Sequence, residues 1–246
     1  MPELAFRVRR ALLFSFLLLI APAARAAAED SFVLALTWQP GFCAAHGASP
    51  ECADPAPRLV LHGLWPDWDV NGDGKRNAAD DYCIAGESNR AAIAALDRDG
   101  KWQTLPPVKL SGASRGDLAA AMPGSAAALD RHEWWKHGTC SGLAADDYFA
   151  TAIALLRETE RGSLAGLIVK EAGRSVARSK LLAAFEKDFG AKSARALTLV
   201  CDGDTLQEIR IRLKRASVTQ GLTAKSLSMP AKAPRADCGS SIPIPR

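Results

Sequence analysis

A chain of 246 residues with 31 Lys and Arg against 27 Asp and Glu has a formal net charge of +4. Residues 1–26 hold four Arg and one Glu, which leaves 27 basic and 26 acidic groups in the rest. The overall basicity therefore belongs to the first residues and is no argument for a nucleic-acid partner, and no later apolar stretch is long enough for a helical membrane span, so the mature chain is expected to be soluble.

The chain opens on Arg7, Arg9 and Arg10, then an apolar run over residues 11–20, then small residues. Ala24 and Ala26 frame a cut before Ala27, and Ala26 and Ala28 frame one before Glu29. This reads as a secretory signal peptide over residues 1–26, with cleavage after 28 as the alternative. The mature chain, 27–246, is then expected in the periplasm or outside the cell, free of the membrane, as one monomeric domain with a substantial core. Six Cys in an exported chain imply three disulfides. Cys43 and Cys52 are close enough for a local loop, but fifteen connectivities are open.

Residues 32–38 alternate and are rich in β-formers, and residues 58–64 read as a second strand. Residues 67–81, dense in Asp, Asn and Gly, form a loop. Short helices are expected over 91–96 and 115–122. A helix over 126–137 would end at Gly138, taken as a left-handed residue past its C-terminus. Residues 146–161 form an amphipathic helix with Phe149, Ile153 and Leu156 on one face, and Asp146 or Asp147 as its N-terminal cap. Another helix spans 178–189. Strands over 196–201 and 205–213 flank a Gly-Asp turn. Strands at both ends with helices between them imply an α+β fold.

Three of the four His fall in two short clusters: His62-Gly63-Leu64-Trp65-Pro66 at a strand end, and His132-Glu133-Trp134-Trp135-Lys136-His137-Gly138-Thr139-Cys140 on a helix. At about 100° per residue, Glu133, Lys136 and His137 lie about 100°, 40° and 140° from His132. Those four polar groups share one face; Trp134 and Trp135 fall away from it and are expected in the core. Cleaving RNA requires a group that takes the 2′-hydroxyl proton, another that protonates the leaving 5′-oxygen, and a positive charge for the phosphorane. Imidazole fills either proton role near neutral pH. His62 and His137 fit as the pair and Lys136 as the charge stabiliser.

A zinc protease is the first competing reading, because His132-Glu133 opens like H-E-x-x-H. The second His is one residue too late, about 140° round the helix instead of about 40°. Buried His that only satisfy backbone groups are the second; three His in two compact motifs with Glu and Lys fit that poorly.

The two clusters closely resemble the active-site segments of the ribonuclease T2 family, and residues 36–43, Leu-Thr-Trp-Gln-Pro-Gly-Phe-Cys, resemble its opening strand and first half-cystine. The resemblance spans nearly the whole mature chain. It implies a mostly antiparallel sheet packed with helices, no cofactor, and cleavage of single-stranded RNA but not DNA, with little base preference, through a 2′,3′-cyclic phosphate. It implies His137 as general base, His62 as general acid, Glu133 and Lys136 as transition-state stabilisers and His132 as a phosphate or substrate contact. Trp65 would stack on a base, with core packing as the alternative, and Asp67 would bond a base edge. It also implies the pairs Cys83–Cys140, Cys201–Cys238 and Cys43–Cys52.

Three features stand outside that pattern. Asp69, Asn71, Asp73, Lys75, Asn77 and Asp80, with Gly74 at the sixth position, match a calcium loop, so a structural Ca²⁺ is one expectation; an Asp/Asn/Gly turn that binds nothing is the other. A dockerin module would need a second copy and flanking helices, neither of which is evident. Residues 170–246 carry 15 basic and 7 acidic groups against 12 and 19 in residues 27–169, a candidate polyanion surface or simply solvated Lys and Arg. A catalytically silent RNA-binding protein of the same fold is the alternative function, but it would have no chemical need for the full His-Glu-Lys-His set.

Overall fold

A computed structural model describes residue 1 and residues 30–53, 55–70, 72–73, 75–231 and 237–246. Beyond residue 1, the expected signal peptide and both of its cleavage points precede the described residues. In chain order the elements are β1 (Ser31–Trp38), α1 (Gln39–Ala45), β2 (Leu59–Asp67), α2 (Glu87–Arg98), α3 (Gly112–Ala121), α4 (Leu129–Lys136), α5 (Ala145–Glu160), α6 (Ser163–Lys170), β3 (Arg174–Ala177), α7 (Arg178–Phe189), β4 (Leu197–Asp202), β5 (Thr205–Lys214) and β6 (Ser241–Ile244). The main sheet runs β2-β1-β5-β4, antiparallel throughout, and β3 pairs with β6 in a two-stranded sheet. This is the α+β fold expected.

The period of two sorts each strand. Phe32, Leu34 and Leu36 of β1 and Ile209, Ile211 and Leu213 of β5 are buried in one core with Tyr148, Phe149, Ile153 and Leu156 of α5. Each such side chain contributes roughly 1.5–3 kcal/mol on burial. The Tyr148 hydroxyl donates to the Leu64 carbonyl at 2.9 Å and ties α5 to β2. The other face of β5 carries Glu208, Arg210 and Arg212, beside Thr37, Ala35 and Val33 of β1. The functional side chains gather on this open face.

Three disulfides, Cys43–Cys52, Cys83–Cys140 and Cys201–Cys238, join the pairs that the resemblance implied. Several local expectations need correction. The run at 126–137 is a 3₁₀ turn (Pro123–Ala127) followed by α4, separated by Ala128 in the left-handed region at φ 64°. Leu129 packs over Gly124 there, so close that a Cβ at 124 would lie 2.8 Å from Leu129 Cδ2. Asp146 does not cap α5, whose N-cap is Ala144; it sits in the first turn and accepts the Ser111 N–H at 3.0 Å. The elements α1, α6, β3 and β6 escaped the sequence pattern.

The loop that matched a calcium motif uses its carboxylates internally. Asp69 Oδ1 accepts the N–H groups of Gly72 and Asp73, Asp73 Oδ1 accepts that of Lys75, and buried Asp80 accepts those of Val70 and Asn77. Arg76 also places its guanidinium 3.8 Å from Asp80 and 2.8 Å from Asp81. With a cation already among these carboxylates and their oxygens accepting backbone N–H groups, the arrangement gives calcium no support; Asn71 lies outside the described residues.

Candidate active site

His62 stands at a β-bulge. Gly63 pairs with Ala35 and Leu61 with Leu36, so His62 has no partner on β1. In a regular strand residues 62 and 65 would face opposite sides. The extra residue reverses the alternation and brings both to the open face, with ring centroids 5.1 Å apart. Across the sheet, Glu208 Oε2 lies 2.5 Å from His62 Nδ1, and Arg210 donates to the other Glu208 oxygen at 2.5 Å. The Arg210 guanidinium lies 5.0 Å from the centre of the Trp65 ring.

Helix α4 brings Glu133 down onto this face. Its carboxylate is fully buried; Oε2 accepts the Trp65 indole N–H at 2.8 Å, and Oε1 lies 3.7 Å from His62 Nε2 and 3.8 Å from His132 Nε2. Gly63 makes this approach feasible: a Cβ there would lie 1.8 Å from Glu133 Oε2 and 2.5 Å from Trp65 Nε1. His132 Nδ1 sits 2.6 Å from Asp97 Oδ1 on α2, and Asp97 also accepts the Tyr82 hydroxyl at 2.6 Å. Trp102 stacks on His132 at 4.8 Å.

His137 follows the last residue of α4. The helix stops at Lys136, and the ring of His137 comes within 5.6 Å of Trp65 and 5.9 Å of His132. An undistorted helix would have kept those two His about 140° apart. The loop between β2 and α2 clasps this end through Cys83–Cys140 and through the Tyr82 N–H on the Lys136 carbonyl at 3.0 Å. It also brings Asp81 Oδ1 to 3.8 Å from His137 Nδ1. Gly138 is not left-handed. It opens a 3₁₀ turn (Gly138–Cys140), where a Cβ would lie 2.4 Å from Trp134 Cε3. Trp134 packs against the core as expected; Trp135 does not, lying half-exposed and donating to the Pro106 carbonyl at 2.8 Å.

The two clusters thus converge: His62, Trp65, His132, Glu133 and His137 form one site. Lys136 lines an adjoining groove of about 520 Å³ with Asp81, Tyr82 and Arg98, and its charge still acts on His137 and Glu133. Asp67 shares the open face but is ion-paired with Arg212. Sequence reasoning missed Glu208, Asp97, Arg210 and Trp102. A signal existed for two of them: Glu208, Arg210 and Arg212 alternate through an otherwise aliphatic strand. A second groove, of about 570 Å³, runs from His62 past Glu208, Val60, Leu129, Trp102 and Phe42.

The two convergent histidines are pushed in opposite directions. Burial alone would lower His62, but its hydrogen bond to Glu208 and the charges of Glu133 and Glu208 outweigh that and hold it above the ordinary histidine value. Burial holds His137 well below that value, reinforced by Lys136, His132, Arg76 and His62. Burial raises Glu133 above the usual carboxylate range against the pull of His62 and His132. Burial would raise Asp97 too, yet the hydrogen bonds from His132 and Tyr82 bring it below.

The Ribonuclease T2 family profile matches residues 29–223. Ribonuclease I of Escherichia coli K12 is 29% identical over 231 residues, 87% of this chain and 85% of that protein. Ribonuclease 1 of Arabidopsis thaliana is 27% identical over 65% of each chain. Among solved structures, the self-incompatibility-associated SF11-RNase of Nicotiana alata superposes with a TM-score of 0.60 at 17% identity, covering 89% of this chain and all of that one. RNase NT in complex with 5′-AMP gives 0.53 at 20% identity, over 88% and 98%. The sequence match over most of the chain, joined to a fold that carries both histidine clusters to one face, makes this chain a member of the ribonuclease T2 family and an endoribonuclease.

Proposed function

We propose that this chain cleaves single-stranded RNA with little base preference, without a metal, by transesterification to a 2′,3′-cyclic phosphate. His137 takes the proton from the 2′-hydroxyl as its oxygen bonds to phosphorus. The P–O5′ bond breaks, and His62 gives its proton to the departing 5′-oxygen. The observation that carries this reading is the convergence of a strand-borne and a helix-borne histidine on one indole, His62 at 5.1 Å and His137 at 5.6 Å from the Trp65 ring, with surroundings that bias the two in opposite directions. At pH 6.5, two unperturbed imidazoles would be correctly paired, base neutral and acid charged, in only about a quarter of molecules. Lowering the base and raising the acid makes the productive pair the dominant form over a window on both sides of that pH.

Lys136 supplies positive charge near the phosphorane, and Glu133 fixes the mutual placement of His62, His132 and Trp65. The groove beside His62 offers the aromatic and aliphatic surfaces of Phe42, Val60, Trp102 and Leu129, which suits a base that is held by contact more than by edge hydrogen bonds. RNase NT was solved with 5′-AMP; a nucleotide of that size is the unit such a groove would hold. Trp65 already has Arg210 near its ring and its N–H on Glu133, so we assign it a positioning role alongside stacking. Asp67 would reach a base edge by leaving Arg212. The three disulfides and the leader-like first residues support export to the periplasm or medium.

Digestion of a short single-stranded RNA in EDTA, with the product ends identified, tests the reading. Cleavage should persist, yield 2′,3′-cyclic phosphate ends and leave DNA intact. Complete loss in EDTA with recovery on adding Zn²⁺, or 5′-phosphate ends, would overturn it.

A further inference from the structure

The groove that Lys136 lines shares no residue with the one beside His62, and its chemistry differs. Its walls are Lys136, Tyr82 and one face of α2. On that face Arg90, Ala91, Ala94 and Arg98 recur three and four apart. The two alanines leave the middle of the groove open between the two arginines. The walls are tied down. Arg90 Nη2 donates to the carbonyls of Ala79 and Asp81, the latter at 2.9 Å. Tyr82 stands in the left-handed region at φ 55°, uncommon for an aromatic residue, with its N–H on the Lys136 carbonyl and its hydroxyl on Asp97.

Positive charge collects at the end nearest the catalytic residues. Asp97 joins that end of α2 to His132, and the Lys136 charge acts on it. Arg98, the next residue, is exposed, and its charge acts on Tyr82. Neither Lys136 nor Arg98 makes an ion pair among the described residues. The carboxylates of the groove are engaged or distant. Asp81 is paired with Arg76 at 2.8 Å, and Glu87 opens α2, about 16 Å along the axis from Arg98. A groove of about 520 Å³ with two unpaired cations and a single aromatic wall suits a phosphate backbone better than a base.

The geometry points to a second phosphate subsite, in which Arg98, beside Lys136, holds the RNA phosphate one step to the 5′ side of the bond that is cut. The side follows from the roles of the two histidines. His137 works on the 2′-oxygen, which belongs to the nucleotide upstream of the scissile phosphate. His62 works on the 5′-oxygen of the nucleotide downstream. Asp81, on the edge of this groove, lies 3.8 Å from His137, so the chain continues upstream here and downstream along the groove at His62. The direction rests on the proposed function, whereas the affinity of the groove for a phosphate does not.

Strands with one ribonucleotide among deoxynucleotides confine cleavage to a single bond and test this in the full-length protein. The minimal dinucleotide, which lacks any upstream phosphate, is compared with strands extended on the 5′ or the 3′ side. The 5′ extension should raise kcat/KM, mainly through KM. Arg98→Ala should cut the ratio of 5′-extended to minimal kcat/KM by about three- to tenfold. Arg98→Lys should keep most of that ratio, and the ratio for the 3′ extension should hold. A neutral methylphosphonate at the upstream position should remove the same gain from the unaltered protein, with no further loss on adding Arg98→Ala. Arg174→Ala, which removes an exposed charge from β3, should change neither ratio. No gain from the 5′ extension, an equal loss on both extensions, or a methylphosphonate effect that persists in full in Arg98→Ala would each overturn the subsite. A 2′-O-methyl form of the 5′-extended strand, which cannot be cleaved, separates the two readings by fluorescence anisotropy. If the unaltered protein binds it more tightly than Arg98→Ala does and yet cuts no strand, the proposed function falls and the phosphate site stands.

Discussion

The strand-borne and helix-borne halves of the site present the same side chain in contrasting surroundings. His62 rides on a bulged strand, about a third exposed, with Glu208 at 2.5 Å and Glu133 at 3.7 Å. His137 rides at the end of α4, 11% exposed, with Lys136, His132 and Arg76 as the charges that act on it after burial. Carboxylates from both halves surround the strand's imidazole, whereas burial dominates at the helix's imidazole and nearby positive charge reinforces it. The difference teaches that placement alone can push two identical groups of one site in opposite directions from their ordinary value.

Removing either imidazole should have the largest effect. His62→Ala and His137→Ala are each expected to lower kcat by about 10²–10⁴-fold, the usual worth of positioned acid–base catalysis. Steady-state kinetics on a dinucleotide would show it, and near-normal turnover in either variant would remove that half from the chemistry. Gly63→Ala attacks the seam between the halves. Its methyl would displace the Glu133 carboxylate and the Trp65 indole, costing about 1–3 kcal/mol as an overpacked site. We expect turnover to fall by about tenfold or more while the fold persists by circular dichroism. A fully active Gly63→Ala would mean that Glu133 need not sit against the strand.

Glu208→Gln has the smallest expected effect and the most specific one. It removes one of the two negative charges that raise His62, and the charge-assisted hydrogen bond, leaving Glu133 alone against burial and Arg210, which lower it. The general acid would then lose its proton at lower pH. The alkaline limb of kcat/KM should move toward acid, with a severalfold loss above neutrality and little change on the acid limb, which follows His137. An unmoved alkaline limb would detach Glu208 from the acid.

Much of this was legible beforehand. The two histidine clusters, α5, α7 and the β4–β5 hairpin could be read because apolar periodicity and motif spacing are local properties. The bulge at His62 was not, since the sequence gives no sign that one residue in β2 lacks a partner; it is a property of the pairing with β1. Asp97 and Glu208 were missed for the same reason. Each is an ordinary charged residue until the fold brings it, 35 or 146 positions away in the chain, to a histidine. Gly138 was misread because a glycine after a helix usually means a left-handed turn, whereas here it leaves room for Trp134. Asp69 to Asp80 shows the converse: a spacing suited to a cation, filled instead by backbone amides and Arg76.

The central claim is that His62 and His137 titrate on opposite sides of the ordinary histidine value. Imidazole resonances of the metal-free protein, followed by NMR through a pH titration and assigned with His62→Ala and His137→Ala, measure this directly. His62 should titrate above about 6.5 and His137 well below it. Both histidines on the same side, or the order reversed, would contradict the account.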